Sequence, residues 1–265
     1  MHRPQGRSSP RGNTVQFEAN SFIQGASRGI GLELVRQLLE TQAGHRVFAS
    51  CRRPEEAGGL QDLQARHARR LVILAMDVTD ESSISSAAAR VSEEAGELSL
   101  LVNVAGVLHG PGFGPEKRLA QIEPEALRHA FEVNAFGPLL VAKHFSQLLR
   151  HSRRAVLANL SARVGSISDN RLGGWYAYRG SKAAQNMFTK TLSIELGRVA
   201  PHAIVVGLHP GTVDTDLSKP FQRNVPAKQL QSPRTAVSAL LRVIDALTPD
   251  DTGKVFDFRG SEIPP

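Results

Sequence analysis

Tyr178 precedes Lys182 by four residues in the stretch WYAYRGSKAAQNMF, residues 175–188. If that stretch is helical, the spacing stacks the two side chains on one face. A free phenol ionises at about pH 10, too high for a proton shuttle at neutral pH, and a cation one helical turn away favours its ionised form. The pair therefore has the parts of an acid–base device. The same two residues also make a bland surface pair in which the lysine stem lies over the ring, so the rest of the chain must decide.

A second group of residues points to phosphate. Gly25, Gly29 and Gly31 in QGASRGIG follow a short apolar run and open an amphipathic stretch. Glycines there let the backbone turn sharply and approach a pyrophosphate at a helix amino terminus, where free N–H groups and the helix dipole favour negative charge. Three glycines in a loop also suit a plain turn. Two elements on, FASCRRP has no carboxylate to bind adenosine ribose hydroxyls. Arg52 and Arg53, with Arg28 in the glycine loop, bring guanidinium forks suited to a 2′-phosphate, or else form a solvated surface. Asp77 in MDVTD and the NVAG stretch from Asn103 to Gly106 each close an apolar run. Either could simply cap the next helix or turn.

These residues need a scaffold. Short β-rich runs alternate with longer helical patterns from residue 21 onward, the mark of a parallel sheet with crossover helices. SFIQGA, HRVFAS, RLVILAMDV, LSLLVNVAG, RRAVLANLS, HAIVVGLHPG and GKVFDFRG read as seven strands, most too uniformly apolar to have a solvent face. Helical patterns come after the glycine loop and recur over 82–95, 124–151, 177–198 and 233–247. Right-handed crossovers then place helices on both sheet faces and the strand carboxyl ends along one ligand-binding edge. The expected fold class is α/β, a single-domain, doubly wound parallel sheet of the Rossmann type over residues 21–265. Residues 212–232 lack periodicity and contain Pro220 and Pro226, as expected of a lid or substrate loop.

Composition narrows the function. The charge of +7 comes from 32 basic and 25 acidic residues, but Arg3, Arg7 and Arg11 precede the first acidic residue, Glu18, so the body keeps only +4. Residues 1–20 read as a disordered basic extension, with an organellar address as the alternative to a cytoplasmic protein. Phe17 is their sole aromatic residue, which speaks against a nucleic-acid platform. No run of about 18 apolar residues could span a bilayer. Cys51 has no cysteine to pair with, and no Cys/His cluster has metal-ligand spacing.

In order and approximate spacing, the loop at 25–31, Asp77, Asn103 to Gly106, Asn134 in EVNAFGP, Tyr178 with Lys182, and Pro210-Gly211 in HPGTVDT resemble the short-chain dehydrogenase/reductase family across residues 21–260. The stretch around Tyr178 is most similar to the subgroup of carbonyl-reductase-like enzymes that includes the myxobacterial C-factor. The resemblance implies an NADP(H)-dependent oxidoreductase, with NAD(H) as the alternative, acting on a small carbonyl or alcohol. Tyr178 would exchange the proton; Lys182 would tune it and hold the nicotinamide ribose, and Asn134 would hold a water connecting Lys182 to solvent. Cofactor contacts carry over to Gly25, Ser27, Arg28, Gly29, Ile30, Gly31, Arg52, Arg53, Asp77, Val78, Asn103, Ala105 and Gly106. Pro210, Gly211 and Val213 would wrap the carboxamide, with Thr215 a phosphate or amide contact. Trp175, Tyr176 and His109 are expected to line the substrate pocket. A homodimer is compatible with this reading, and so is a catalytically weak NADP-binding regulator on the same fold. Three positions depart from the family pattern: Gln24 stands in place of threonine, Val104 in place of asparagine, and the usual serine position falls on Ala162. Ser161, one residue earlier, is the first candidate for the catalytic hydroxyl, with Ser166 or neither as alternatives.

Overall fold

The computed structural model describes residues 20–41, 44–226 and 228–265; the extension expected over the first residues lies outside them except for Asn20. In chain order the main elements are β1 (Asn20–Gln24), α1 (Gly29–Thr41), β2 (Val47–Cys51), α2 (Gly58–Arg66), β3 (Leu71–Ala75), α3 (Glu81–Ala95) and β4 (Leu98–Asn103). They continue with α4 (Pro124–Phe131), α5 (Gly137–Phe145), β5 (Ala155–Leu160), α6 (Tyr176–Val199), β6 (Ala203–His209), β7 (Thr212–Val213), β8 (Leu230–Gln231), α7 (Pro233–Ala246) and β9 (Val255–Asp257). Seven strands form one sheet in the order β3-β2-β1-β4-β5-β6-β9. Every pairing in it is parallel.

The uniformly apolar strands are explained by cover on both faces. Ile23, Val47, Ala49, Val156 and Ile204 pack with α1, α2 and α7. Phe22, Phe48, Leu101, Leu157 and Val205 pack with α3, α5 and α6 on the other side, and the rings of Phe22 and Phe145 lie 4.3 Å apart. Because strand side chains alternate, consecutive residues feed the two cores in turn. The order reverses at β1, whose neighbours are β2 and β4. A crevice at the carboxyl ends on either side of that reversal is where ligands of such sheets bind.

Two segments differ from the sequence expectation. The helix expected over 124–151 is interrupted by a π turn from Glu132 to Phe136 and ends in a 3₁₀ turn. The unanticipated α2 buries only Leu60 and Leu63, too short a stripe to show as periodicity. Residues 212–232 form a flap pinned at its base: β7 pairs with β8, and a 3₁₀ helix from Lys219 to Asn224 occupies its tip.

Candidate active site

The strand carboxyl ends open into a cleft of about 1360 Å³. At the reversal, Gly25 turns with φ +79°, and a Cβ there would lie 2.6 Å from the Ala105 nitrogen; only glycine lets the first loop sit this close to the fourth strand. Gln24 accepts the Ala105 N–H on its Oε1 at 3.0 Å, so the departure from threonine still ties β1 to β4. The first turn of α1 carries no acidic residue, and its unpaired N–H groups suit an anion. Gly25, Ser27, Arg28, Gly29 and Ile30 line the cleft, as do Arg52, Asp77, Val78, Ala105 and Gly106. This donor set fits a dinucleotide.

Three expected contacts lie elsewhere. Arg53 pairs with Glu56 at 3.0 Å, so of the two arginines after β2 only Arg52 lines the cleft. Gly31 sits beneath the loop, where a Cβ would come within 2.2 Å of the Gly25 oxygen. Asn103 is buried behind the wall and donates to Asn159 Oδ1 at 2.8 Å. Arg28 remains in the wall and pairs with Asp216 of the flap at 3.2 Å, both exposed.

Helix α6 carries Tyr178 and Lys182 into the same cleft. The Lys182 Nζ lies 5.9 Å from the centre of the Tyr178 ring and donates to the Leu160 oxygen at 2.7 Å and to Gln185 Oε1 at 3.3 Å. Burial pushes the Lys182 ammonium down to about 7 and the Tyr178 phenol up to about 12, because a low-dielectric surround penalises whichever form is charged. The lowering expected from a cation one turn away is therefore not what this arrangement gives: burial outweighs it, and Tyr178 holds its proton more tightly than a free phenol does. Asn134 stands in the π turn outside the cleft wall. Its Oδ1 accepts from the Val107 N–H, and its Nδ2 donates to the Val107 oxygen and to Ser181 Oγ, at 2.8, 2.8 and 3.0 Å. That side chain bolts α6 to the loop after β4.

The candidate serines part company. Ser161 lines the cleft, but its hydroxyl donates to Asn186 Oδ1 at 2.6 Å. Ser166 accepts from the Asp169 N–H and faces Ser168 and Pro265, outside the cleft wall. Ala162 lines the cleft with no hydroxyl to offer.

Pro210, Gly211, Val213 and Thr215 line the far side, and the flap folds over it. Phe221 at the flap tip packs 5.2 Å from Trp175 and 5.7 Å from His109, and His109 Nε2 meets the Asp216 oxygen at 3.2 Å. Tyr176, by contrast, is 42% exposed and does not line the cleft. Sequence reasoning missed Glu116, whose buried carboxylate accepts the Ala177 N–H at 3.2 Å and so caps α6 from a distant loop. It also missed the buried ladder behind Lys182, in which Asn159 donates to Thr189 and Thr189 to the Gln185 oxygen. The polar residues of α6 recur at Gln185 and Thr189, one turn apart in step with Lys182, and that was the available signal.

Residues 20–226 match the family model of the short chain dehydrogenases. An oxidoreductase of Schizosaccharomyces pombe is 32% identical over 253 residues, covering 92% of this chain and 96% of its own. The C-signal protein of Myxococcus xanthus is 37% identical over 170 residues, 64% of this chain and 93% of its own. Among solved structures, the NADPH-bound carbonyl reductase from chicken fatty liver superposes with a TM-score of 0.83 at 31% identity, covering 93% of this chain and 98% of that one.

Proposed function

The chain belongs to the short-chain dehydrogenase family, and on that premise we propose that it is an NADPH-dependent reductase of small carbonyl compounds, able to run in reverse on the alcohol. The observation that carries this reading is the continuous cleft that joins the glycine loop and Arg52 to Tyr178 and Lys182. When bound, NADPH supplies the hydride. Tyr178 donates its phenolic proton to the carbonyl oxygen as negative charge develops there, and Lys182 stabilises the phenolate left behind. Gly106 lies between Asn134 and Lys182, since a Cβ there would come within 3.3 Å of Asn134 Oδ1 and meet Lys182 Nζ in ordinary contact; in this reading Lys182 also holds the nicotinamide ribose. Arg52, with no partner among the described residues, meets the 2′-phosphate; NAD(H) would leave it unused. The Asn134 side chain is engaged by Val107 and Ser181, so its part in this reading is to hold the helix of Tyr178 and Lys182 against the loop after β4.

Ser161 is the first candidate to hold the substrate oxygen, but it spends its one proton on Asn186. Tyr178 is then the hydroxyl donor to that oxygen. The same observation favours a second reading, an NADP-binding regulator with slow turnover. NADPH oxidation against a panel of aldehydes and ketones tests the first: steady turnover supports it, and none across the panel favours the regulator. Ser161→Ala should change kcat by less than about threefold, and Ala162→Ser should raise it by about tenfold, the worth of one transition-state hydrogen bond. A tenfold loss in Ser161→Ala would return the role to Ser161.

A further inference from the structure

Trp175 is held at φ 55° and ψ 44°, and among the described residues it is the only non-glycine with positive φ. It comes after Gly173 and Gly174, at φ 63° and 64°, so three successive residues turn left-handed before α6 begins. Glycine adopts this conformation freely; a bulky side chain does so only against its own Cβ. The main chain at this position needs no side chain: the Trp175 N–H donates to the Glu116 oxygen at 2.5 Å, and its carbonyl accepts from the Arg179 N–H at 2.8 Å. Glycine would make both bonds without strain. What the strained backbone retains is therefore the indole, and strain of this kind gathers at ligand-contacting positions.

The indole stands in the cleft wall, its ring centre 6.2 Å from that of Tyr178 at an interplanar angle of 69°, and 5.2 Å from Phe221 at 57°. Phe221 meets His109 at 5.7 Å. Three segments distant in sequence thus contribute one ring each to a cluster in the cleft wall that meets Tyr178 through Trp175. Ring faces and edges at these angles favour another flat π-system over a saturated chain of the same size.

We propose that Trp175 is a specificity-determining residue: with Phe221 and His109 packed on one another it makes the aromatic side of a slot in the cleft, against which a flat, unsaturated group attached to the reacting carbonyl lies. The slot rests on the proposed reductase reading for its purpose, but not for its test. Trp175 is the only tryptophan in the chain, so emission excited beyond the absorption of tyrosine reports on this residue alone. Titration of the full chain, with and without NADP⁺, with benzyl alcohol should give a saturable change in emission that butan-1-ol at equal concentration does not. An equal response to both alcohols, or no saturable response to either, overturns the slot. In parallel, Trp175→Gly and Trp175→Asn, both compatible with the left-handed backbone, should lower the ratio of kcat/KM for benzaldehyde over butanal at least tenfold through KM, while Trp175→Phe preserves it. An unmoved ratio in folded Gly and Asn variants also overturns it. Selective fluorescence without reduction of either aldehyde would sink the reductase reading and leave the slot standing.

Discussion

Burial acts on Lys182 and Tyr178 in opposite directions along the pH scale, and the sign of each effect can be tested without substrate. Lys182 falls from 10.5 to about 7, so between those values the unfolded chain holds a proton that the folded chain has released. Stability therefore rises with pH across that window. Tyr178 rises from 10.0 to about 12; there the folded chain keeps the proton, and stability falls as pH climbs between the two. Urea unfolding at a series of pH values should show the first slope in the native chain and its loss in Lys182→Met. An unchanged slope would mean that the amine is not the buried group that titrates. This pair was legible in the sequence because a four-residue spacing puts two side chains on one face of any helix, wherever the helix lies. Ser161 was not, because the direction of a side chain at a strand end depends on the bend beyond it. Here the hydroxyl goes to Asn186 on α6, and no local pattern announces that partner.

At the scale of elements, the seven strands were legible because a sheet covered on both faces must be built of continuous apolar runs. The break in the long helix was not. Its cause is tertiary: Asn134 trades helical regularity for three hydrogen bonds to Val107 and Ser181, and a π turn accommodates the rotation. Arg52 and Arg53 were indistinguishable until the short turn after β2 brought Glu56 to Arg53. Asn134→Ala should cost about 2 kcal/mol or more by stranding buried partners, read as a lower urea midpoint. It should also reduce turnover, because the tie between α6 and the β4 loop is cut. A variant of native stability would show that other contacts hold the π turn.

For the molecule as a whole, the charge of +7 includes three arginines in the opening residues, so the body carries only +4 and recognition of an anion rests on single cleft residues such as Arg52. A ligand that binds only the folded chain stabilises it, by about 2.7 kcal/mol at a hundredfold excess over Kd. NADPH should therefore raise the thermal midpoint more than NADH does, and Arg52→Glu should abolish or reverse the difference; equal shifts in both proteins would remove Arg52 from phosphate recognition. The central claim is that the cleft performs carbonyl reduction with Tyr178 as proton donor, and it divides cleanly into binding and chemistry. The most direct test measures NADPH affinity and the rate of NADPH oxidation with a reducible aldehyde, side by side, for the native chain and Tyr178→Phe. The account predicts nearly unchanged affinity and a rate lower by about 10² to 10⁴, whereas a near-native rate in Tyr178→Phe would contradict it.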